Sequence, residues 1–385
     1  MYSTMSIKNG NKMNVIVGLS GGVDSAVSAL LLKEKGHHVI GIYMVNWDKE
    51  INGDFFGSKQ SEIEFGCNSE KDFKDAKKIA EQLGIKLLKI NFVKEYWDLV
   101  FKTVLNEYKN NLTPNPDILC NKFIKFGILK DYIDKNYPGF CLATGHYAKL
   151  LKKQKEIFLT ISKDENKDQT YFLCHLNQKQ LSNVIFPLEN YLKTEVRDIA
   201  KKNNLIVADK KDSTGICFIG ERHFKHFLEN YFNKETGEIK LLPELKVIGK
   251  HDGIKFYTIG QRHGLNLGGM KEKVFVVKKD SKTNTLYVAL ESELSKYLET
   301  NYTTITTFNW INDQNKIDWK NENFFVRFRH RQKLIPCFIK KIWNDNLEIY
   351  YPYKTLAVTP GQYAAIYTSN KICIGGGKIL ESKLI

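Results

Sequence analysis

The chain has 385 residues, with 58 Lys and Arg against 43 Asp and Glu, for a net charge of +15. Hydrophobic residues at 42% and aromatics at 12% are enough to bury real cores, which excludes a disordered chain and implies two or three domains. No run is apolar enough to span a bilayer, and residues 1–12 lack both an apolar signal core and an arginine-rich leader, so a cytoplasmic protein with no membrane partner is expected.

The first element is a buried strand, Val15-Ile16-Val17. A small-residue loop follows: Gly18, Leu19, Ser20, Gly21, Gly22, Val23, Asp24 and Ser25. Val27, Leu30 and Leu31 then recur at helical spacing until Gly36, a good helix C-cap. Strand, glycine loop and helix together present backbone N–H groups and a positive helix end to a phosphate. The loop lacks the Gly-Lys-Ser/Thr of a Walker A site, where the lysine reaches the β- and γ-phosphates. With two hydroxyls and no cation to brace a γ-phosphate, it suits a leaving pyrophosphate, with Asp24 a candidate to hold the Mg²⁺ that comes with ATP. No metal site of the protein's own is expected. S-G-G-x-D-S after a buried strand resembles the PP-loop of the N-type ATP pyrophosphatases, which cleave ATP between the α- and β-phosphates and adenylate a substrate.

Residues 39–45 read as a second buried strand, ending beside Met44. Residues 46–66 are irregular, with the character of a surface insertion. Phe73, Ala76, Ile79, Ala80 and Leu83 mark a helix, 85–92 a third strand, and Trp97, Val100, Phe101, Val104, Leu105 and Tyr108 another helix. Alternating strand and helix mean an α/β unit with a parallel sheet, whose ligands bind beyond the strand carboxyl ends. Two prolines keep 112–121 irregular. Then come a helix through Phe123, Phe126 and Ile133, a strand over 140–145 running into His146, a strand over 157–161, a helix over 195–203 and a loop over 210–220. From about 221 the chain turns rich in Gly, Tyr, Val and Thr, as for short antiparallel strands. From 303 onward, alternating segments at 324–331, 334–342, 347–353, 362–367 and 371–375 suggest a small β-barrel. The expected domains are 13–220, 221–295 and 296–385.

Seven cysteines, odd in number and without C-x-x-C, exclude a zinc ribbon and a secreted disulfide framework. Cys120 follows Asn115-Pro116-Asp117 where a proline-stiffened loop enters a helix, whose dipole favours a thiolate. Asp117 lies one turn away, within reach for proton exchange. Cys217 sits in a polar, glycine-bearing loop, a place from which it can carry a sulfur atom to a second thiol. Cys67, Cys141, Cys174, Cys337 and Cys373 lack such a context and read as structural. His223 and His226 have no aligned acid or thiol, so a metal is not expected there. Half of the arginines fall at Arg327, Arg329 and Arg331, which period two puts on one face of a strand as a guanidinium row suited to phosphates. Lys167-Asp168-Gln169 is a second polar candidate. Gly375-Gly376-Gly377-Lys378 lacks a following helix and reads as a turn.

The PP-loop, NPDxxCN at 115–121, GHYA at 145–148, KDQTYFL at 167–173 and DSTGICFIGER at 212–222 occur in order. With these, GQRHGL at 260–265, RFRHRQ at 327–332 and PGQ at 360–362, the chain resembles the tRNA-specific 2-thiouridylase (MnmA) family from Val15 to Gly377. The resemblance implies a PP-loop catalytic domain, a small central β-rich domain and a C-terminal β-barrel that helps grip tRNA. It implies ATP-dependent adenylation of C2 of wobble uridine 34 in tRNAs for Lys, Glu and Gln, then sulfur transfer from a persulfide on Cys217. That sulfur would come from a cysteine desulfurase or a relay protein. AMP, pyrophosphate and 2-thiouridine would be the products, and the enzyme a monomer.

Residue by residue, the resemblance assigns ATP to residues 18–25, Met44 and Gly145. It assigns the target base to Asn115, Pro116 and Asp117, with Asp117 as acid or base. Cys120 would resolve the persulfide through a transient disulfide with Cys217. The tRNA would be touched by His146, Lys167, Asp168, Gln169, Arg329, His330 and Gln362. His330 stands where many members carry tyrosine. The rival readings are another PP-loop enzyme, such as an amidotransferase-type synthetase or a lysidine-type tRNA ligase, and a non-catalytic RNA-binding protein. The first needs no placed cysteines, and the intact Ser20, Asp24 and Ser25 speak against the second.

Overall fold

The computed structural model describes residues 3–4, 12–54, 68–212 and 224–385. In chain order the strands are β1 (Ser3–Thr4), β2 (Asn14–Gly18), β3 (His38–Val45), β4 (Lys86–Asn91), β5 (Cys141–Ala143), β6 (Lys149–Lys153), β7 (Glu156–Thr160), β8 (Val184–Ile185), β9 (Gly237–Leu241), β10 (Lys246–His251), β11 (Val274–Asp280) and β12 (Thr285–Leu290). The last six are β13 (Glu299–Trp310), β14 (Phe324–Arg327), β15 (Ile335–Trp343), β16 (Asn346–Leu356), β17 (Tyr363–Thr368) and β18 (Ile372–Lys383). Four helices matter most: α1 (Val23–Glu34), α2 (Asn68–Leu83), α3 (Pro116–Cys120) and α4 (Lys193–Lys202).

A five-stranded parallel sheet, in the order β4-β3-β2-β5-β8, forms the first half as expected. Val15, Ile16 and Val17 are wholly buried because β2 is central and covered on both faces. Helix α1 is buried over most of its circumference, so its apolar and small residues pack on every side. α3 runs on through a π-helical stretch, Asn121–Ile128, into the helix Leu129–Asn136. Such widened turns are frequent at functional sites.

β9 to β12 make a four-stranded sheet, in which β9 and β12 run parallel where only antiparallel pairing was expected. Strands β18, β13, β16, β15, β14 and β17 follow one another in a ring that closes by the pairing of β17 with β18. This closed barrel has no free edge of its own. The hairpin of β6 and β7 leaves the catalytic half and pairs with β18. One apolar cluster accordingly runs from Ile16 and Cys120 to Tyr363 and Cys373, through both halves of the chain.

Four expectations are corrected. The segment 112–121, expected to be irregular, holds α3, because Pro116 takes the first helical position, where its missing N–H has no partner to lose. Gly375-Gly376-Gly377-Lys378 is not a turn but the middle of β18, where a Cβ on Gly376 would run into the Cys174 sulfur and one on Gly377 would lie 2.6 Å from Ile305. The strand expected over 324–331 ends at Arg327, and Arg331 has the left-handed φ of 65° that belongs to a turn. The part of 46–66 that is described turns inward: Asn46, Trp47, Asn52 and Asp54 are buried, and the Trp47 indole donates to Asp54 at 2.9 Å. Among the described residues no helix is long and apolar enough to cross a membrane.

Candidate active site

The glycine loop lies at the carboxyl end of β2. Ser20 and Ser25 hydroxyls sit 3.2 Å apart, Ser25 Oγ accepts the Ser20 N–H at 3.2 Å, and it donates to the Gly22 carbonyl at 3.0 Å. Gly21 has φ +75°, and a Cβ there would run into the Asp72 carbonyl, so only glycine lets the loop lie against α2. Gly145 meets the loop from β5: its Cβ would lie 2.9 Å from the Ser25 nitrogen. Met44, half-buried, ends β3 on the same side of the sheet.

The loop does have a cation, contrary to its own sequence, and it arrives from 169 residues away. Lys193 Nζ donates to both Asp24 oxygens, at 2.7 and 2.8 Å, and lies 2.8 Å from Asp212 Oδ1. The Tyr147 hydroxyl donates to Asp24 Oδ1 at 2.8 Å, and burial beside Asp24 raises that phenol's pKa far above its usual value. Asp212 also takes Arg197 at 2.7 Å and Lys167 at 2.6 Å. Partial burial works to raise the Asp212 carboxyl, but the hydrogen bonds from Lys167 and Lys193 outweigh it and hold the group well below the usual carboxylate range. Lys210 ties Gly21 O, at 2.9 Å, to Asp72 and Asp75 on α2. Sequence reading missed Lys193, Asp212, Tyr147 and Lys210. The one local signal was the capped start of α4, where Glu195 accepts the Leu192 N–H and fixes Lys193 as the first helical residue.

Asn115 caps α3, its side chain accepting the Ile118 N–H at 3.3 Å. Its amide donates to Gln362 Oε1 at 3.3 Å, while Gln362 Nε2 donates to the Thr113 and Pro114 carbonyls at 3.1 and 3.2 Å. Gln362, expected on tRNA, thus fastens the proline loop to the barrel. Pro116 and Asp117 are half-buried in the first turn of α3. Cys120 is 0% exposed and lies beyond that first turn, where the dipole has faded, so the helix end gives less help to a thiolate than expected. Cys217, His223 and Cys67 lie outside the described residues. Cys174, Cys337 and Cys373 are buried, and burial pushes the Cys373 thiol up to about 12.

The remaining candidates separate into a buried and an open group. His146 is buried against Phe126 and Phe186, shares a 2.7 Å hydrogen bond with Thr144, and is held well below its ordinary pKa by that burial. Asp168 is enclosed opposite Arg327 at 2.6 Å. This breaks the expected outward guanidinium row: Arg327 faces in and only Arg329 and Arg331 are exposed. Gln169 accepts the Tyr147 N–H at 3.0 Å and so sets the GHYA turn against the loop. Lys167 is engaged with Asp212. Arg329 donates to the Ala357 carbonyl at 2.6 Å, and His330 packs on Phe172, its pKa lowered to about 4 by burial and by Arg331 and Arg327.

Among the described residues no group of His, Cys, Asp and Glu could hold a metal. Asp24 alone fits a cation that keeps phosphate and water as its other ligands, as Mg²⁺ bound to a nucleotide does.

Residues 13–221 match the family described as tRNA methyl transferase HUP domain, residues 225–290 a tRNA methyl transferase PRC-barrel domain, and residues 300–379 an aminomethyltransferase beta-barrel domain. The chain is 49% identical over 366 residues to the tRNA-specific 2-thiouridylase of Mycoplasma genitalium, covering 95% of this chain and 98% of that one. It is 48% identical over 371 residues to the tRNA-specific 2-thiouridylase of Mycoplasma pneumoniae, covering 96% and 99%. It is also 50% identical over 371 residues to a trifunctional protein of Mycoplasmoides gallisepticum, covering 96% of this chain and 56% of that longer one.

Proposed function

The chain belongs to the tRNA-specific 2-thiouridylase family, and on that premise we propose how its residues divide an ATP-driven sulfur insertion. It is an enzyme that thiolates a tRNA uridine at C2 and uses ATP to do so. The C2 carbonyl is amide-like and a poor electrophile, so it needs a leaving group before sulfur can displace its oxygen. In our reading, O2 of uridine 34 attacks the α-phosphorus of ATP. The bond from that phosphorus to the bridging oxygen breaks, and pyrophosphate leaves with the electron pair. Ser20, Ser25 and the loop amides hold the departing group, with Met44 and Gly145 lining the nucleotide. Mg²⁺ enters with ATP as part of the substrate and neutralises phosphate charge.

Asn115, Pro116 and Asp117 receive the base, and Asp117 moves the proton. Cys217 delivers a persulfide sulfur to C2 as AMP departs. Cys120 closes on the Cys217 sulfur, leaving a disulfide that a cellular dithiol reduces before the next turnover. The persulfide sulfur is thereby reduced to the thione level while two thiols are oxidised.

One observation carries this reading. Lys193 joins Asp24 of the nucleotide loop to Asp212, and Cys217 follows Asp212 by five residues. Five extended residues span at most about 18 Å, so chain connectivity keeps Cys217 within that reach of Asp212. Cys120 is enclosed in the conformation described, so tRNA must open the Asn115 loop at its Gln362 fastening. Arg329, His330 and Lys167 are assigned to tRNA.

The domain descriptions speak of methyl transfer. We favour thiolation because the full-length relatives are 2-thiouridylases, and because methyl transfer from a sulfonium needs neither α-phosphate cleavage nor placed thiols. The test is nucleoside mass spectrometry of tRNAs for Lys, Glu and Gln after incubation with ATP, a cysteine desulfurase and cysteine. We expect 2-thiouridine, AMP and pyrophosphate in equal amounts, and no 2-thiouridine from Cys217→Ser or Cys120→Ser. ADP as product, methylated uridine, or full activity of Cys217→Ser would overturn the assignment.

A further inference from the structure

Lys193 is a lysine with more than one place to put its charge. Its backbone N–H is pinned to Asp164 at 2.8 Å, and its side chain, 11% exposed, points at the loop. Lys167, Lys193 and Arg197 surround Asp24 and Asp212, and Asp164, which accepts the backbone N–H groups of Lys193 and Lys167, is the third carboxylate of the cluster. Lys193 thus brings an ammonium to a loop that has no cation of its own. If Lys193 turns away, Asp212 keeps Lys167 and Arg197, while Asp24 keeps the Tyr147 hydroxyl and meets the cation that accompanies ATP. Redirecting the ammonium therefore leaves no carboxylate without a partner, which would otherwise be the main cost of moving it.

From this geometry we infer that Lys193 braces the leaving pyrophosphate: its ammonium exchanges the Asp24 and Asp212 carboxylates for the phosphate oxygens of ATP. As the bond between the α-phosphorus and the bridging oxygen breaks, the electron pair moves onto that oxygen, and Lys193 neutralises the charge that develops. It does from α4 what the lysine of a Walker A loop does from within the loop. The inference rests on the loop being an ATP-cleaving site and names the residue that supplies its missing cation.

The test begins with binding of inorganic pyrophosphate to the full chain, measured by calorimetry without tRNA. Lys193→Gln is expected to bind at least 10-fold more weakly, Lys193→Arg within about threefold of the parent, and Lys202→Gln, on the exposed face of α4, unchanged. Asp212→Asn removes a competitor for the ammonium and is expected to bind pyrophosphate as tightly as the parent or tighter. In turnover with tRNA, AMP formation by Lys193→Gln should fall about 10²- to 10³-fold, as when one preorganised donor to a developing charge is lost. Pyrophosphate affinity of Lys193→Gln within threefold of the parent would overturn the inference. So would an Asp212→Asn that binds more than threefold more weakly, since that is the behaviour of a strut between two carboxylates. The Asp212→Asn arm decides the matter even where Lys193→Gln does not fold. A parent that neither binds pyrophosphate nor cleaves ATP would instead remove the reading of the loop itself.

Discussion

Replacing Asp168 by Asn tests whether the Lys167-Asp168-Gln169 segment meets tRNA through all three side chains or holds the fold through the middle one. Asp168 is 0% and Arg327 5% exposed, and they meet at 2.6 Å. Burial lifts the Asp168 carboxyl above its ordinary value, against the opposing pull of the Thr170 hydroxyl at 2.6 Å, of Arg327 and of the Ser162 N–H at 3.2 Å, whose hydrogen bonds it accepts. The guanidinium also lies 5.3 Å over the Tyr367 ring, so it has nowhere to retreat when its partner goes. Leaving one buried charge uncompensated costs about 3–5 kcal/mol. At ~2–4 °C per kcal/mol for units of 150–250 residues, Asp168→Asn should lower Tm by ~6–20 °C. Scanning calorimetry and filter binding of tRNA on the same preparations are the assays. Asp168→Leu combined with Arg327→Met should recover most of the loss, because an apolar pair of similar volume needs no desolvation. A variant with native Tm that has lost tRNA affinity would refute the reasoning, since Asp168 would then be a ligand contact.

Gln362→Ala removes three hydrogen bonds that fasten the proline loop to the barrel; at ~1 kcal/mol each for a partly buried bond, the loop should open more readily, and Cys120 should react with a thiol reagent in the absence of tRNA about tenfold faster or more, with little change in tRNA affinity. A loss confined to tRNA affinity would return Gln362 to the role first expected of it. His175 is buried, accepts Lys122 Nζ at 2.8 Å and donates to the Thr307 carbonyl at 3.1 Å; burial, then Lys122, lowers its pKa to about 4. A folded pKa below the unfolded value of about 6.5 means that the folded state binds fewer protons between the two. The stability this group contributes is therefore complete above pH 6.5 and lost as pH falls toward 4, by up to about 3 kcal/mol. Urea unfolding at pH 7, 6 and 5 should show that decline in the parent and a shallower one in His175→Gln, and equal slopes would contradict it.

Much of the catalytic half is legible in the chain because its signals are local. Val15, Ile16 and Val17 announce a buried strand, and Val27, Leu30 and Leu31 at helical spacing announce α1; the two prolines of 112–121 hid α3, although Pro116 holds its first position. The barrel strands alternate clearly enough for four of the six to be placed roughly, but β13 was not among the segments read and β18 runs well past 375. Period two failed at 328–331 because the strand stops at Arg327, which turns inward to a carboxylate supplied by a residue 159 positions earlier. It failed in another way at Gly375, Gly376 and Gly377. There the absence of side chains looks like a turn, but its cause is the close passage of β18 over Cys174, Ile305 and Asn309.

The sequence by itself determined the reaction class: a glycine loop with Ser20, Asp24 and Ser25, two cysteines in separate loops, and a barrel to follow. Those features depend on neighbours a few residues apart, whose geometry the backbone sets directly. Only the tertiary structure decided which charges serve the loop. Lys193, Asp212, Tyr147 and Lys210 are ordinary polar residues along the chain, and they become an electrostatic site because α4, the turn after β5 and the segment before Ser213 converge on the end of β2. Coulombic partners are chosen by distance in space, and distance in space is what a one-dimensional pattern does not record.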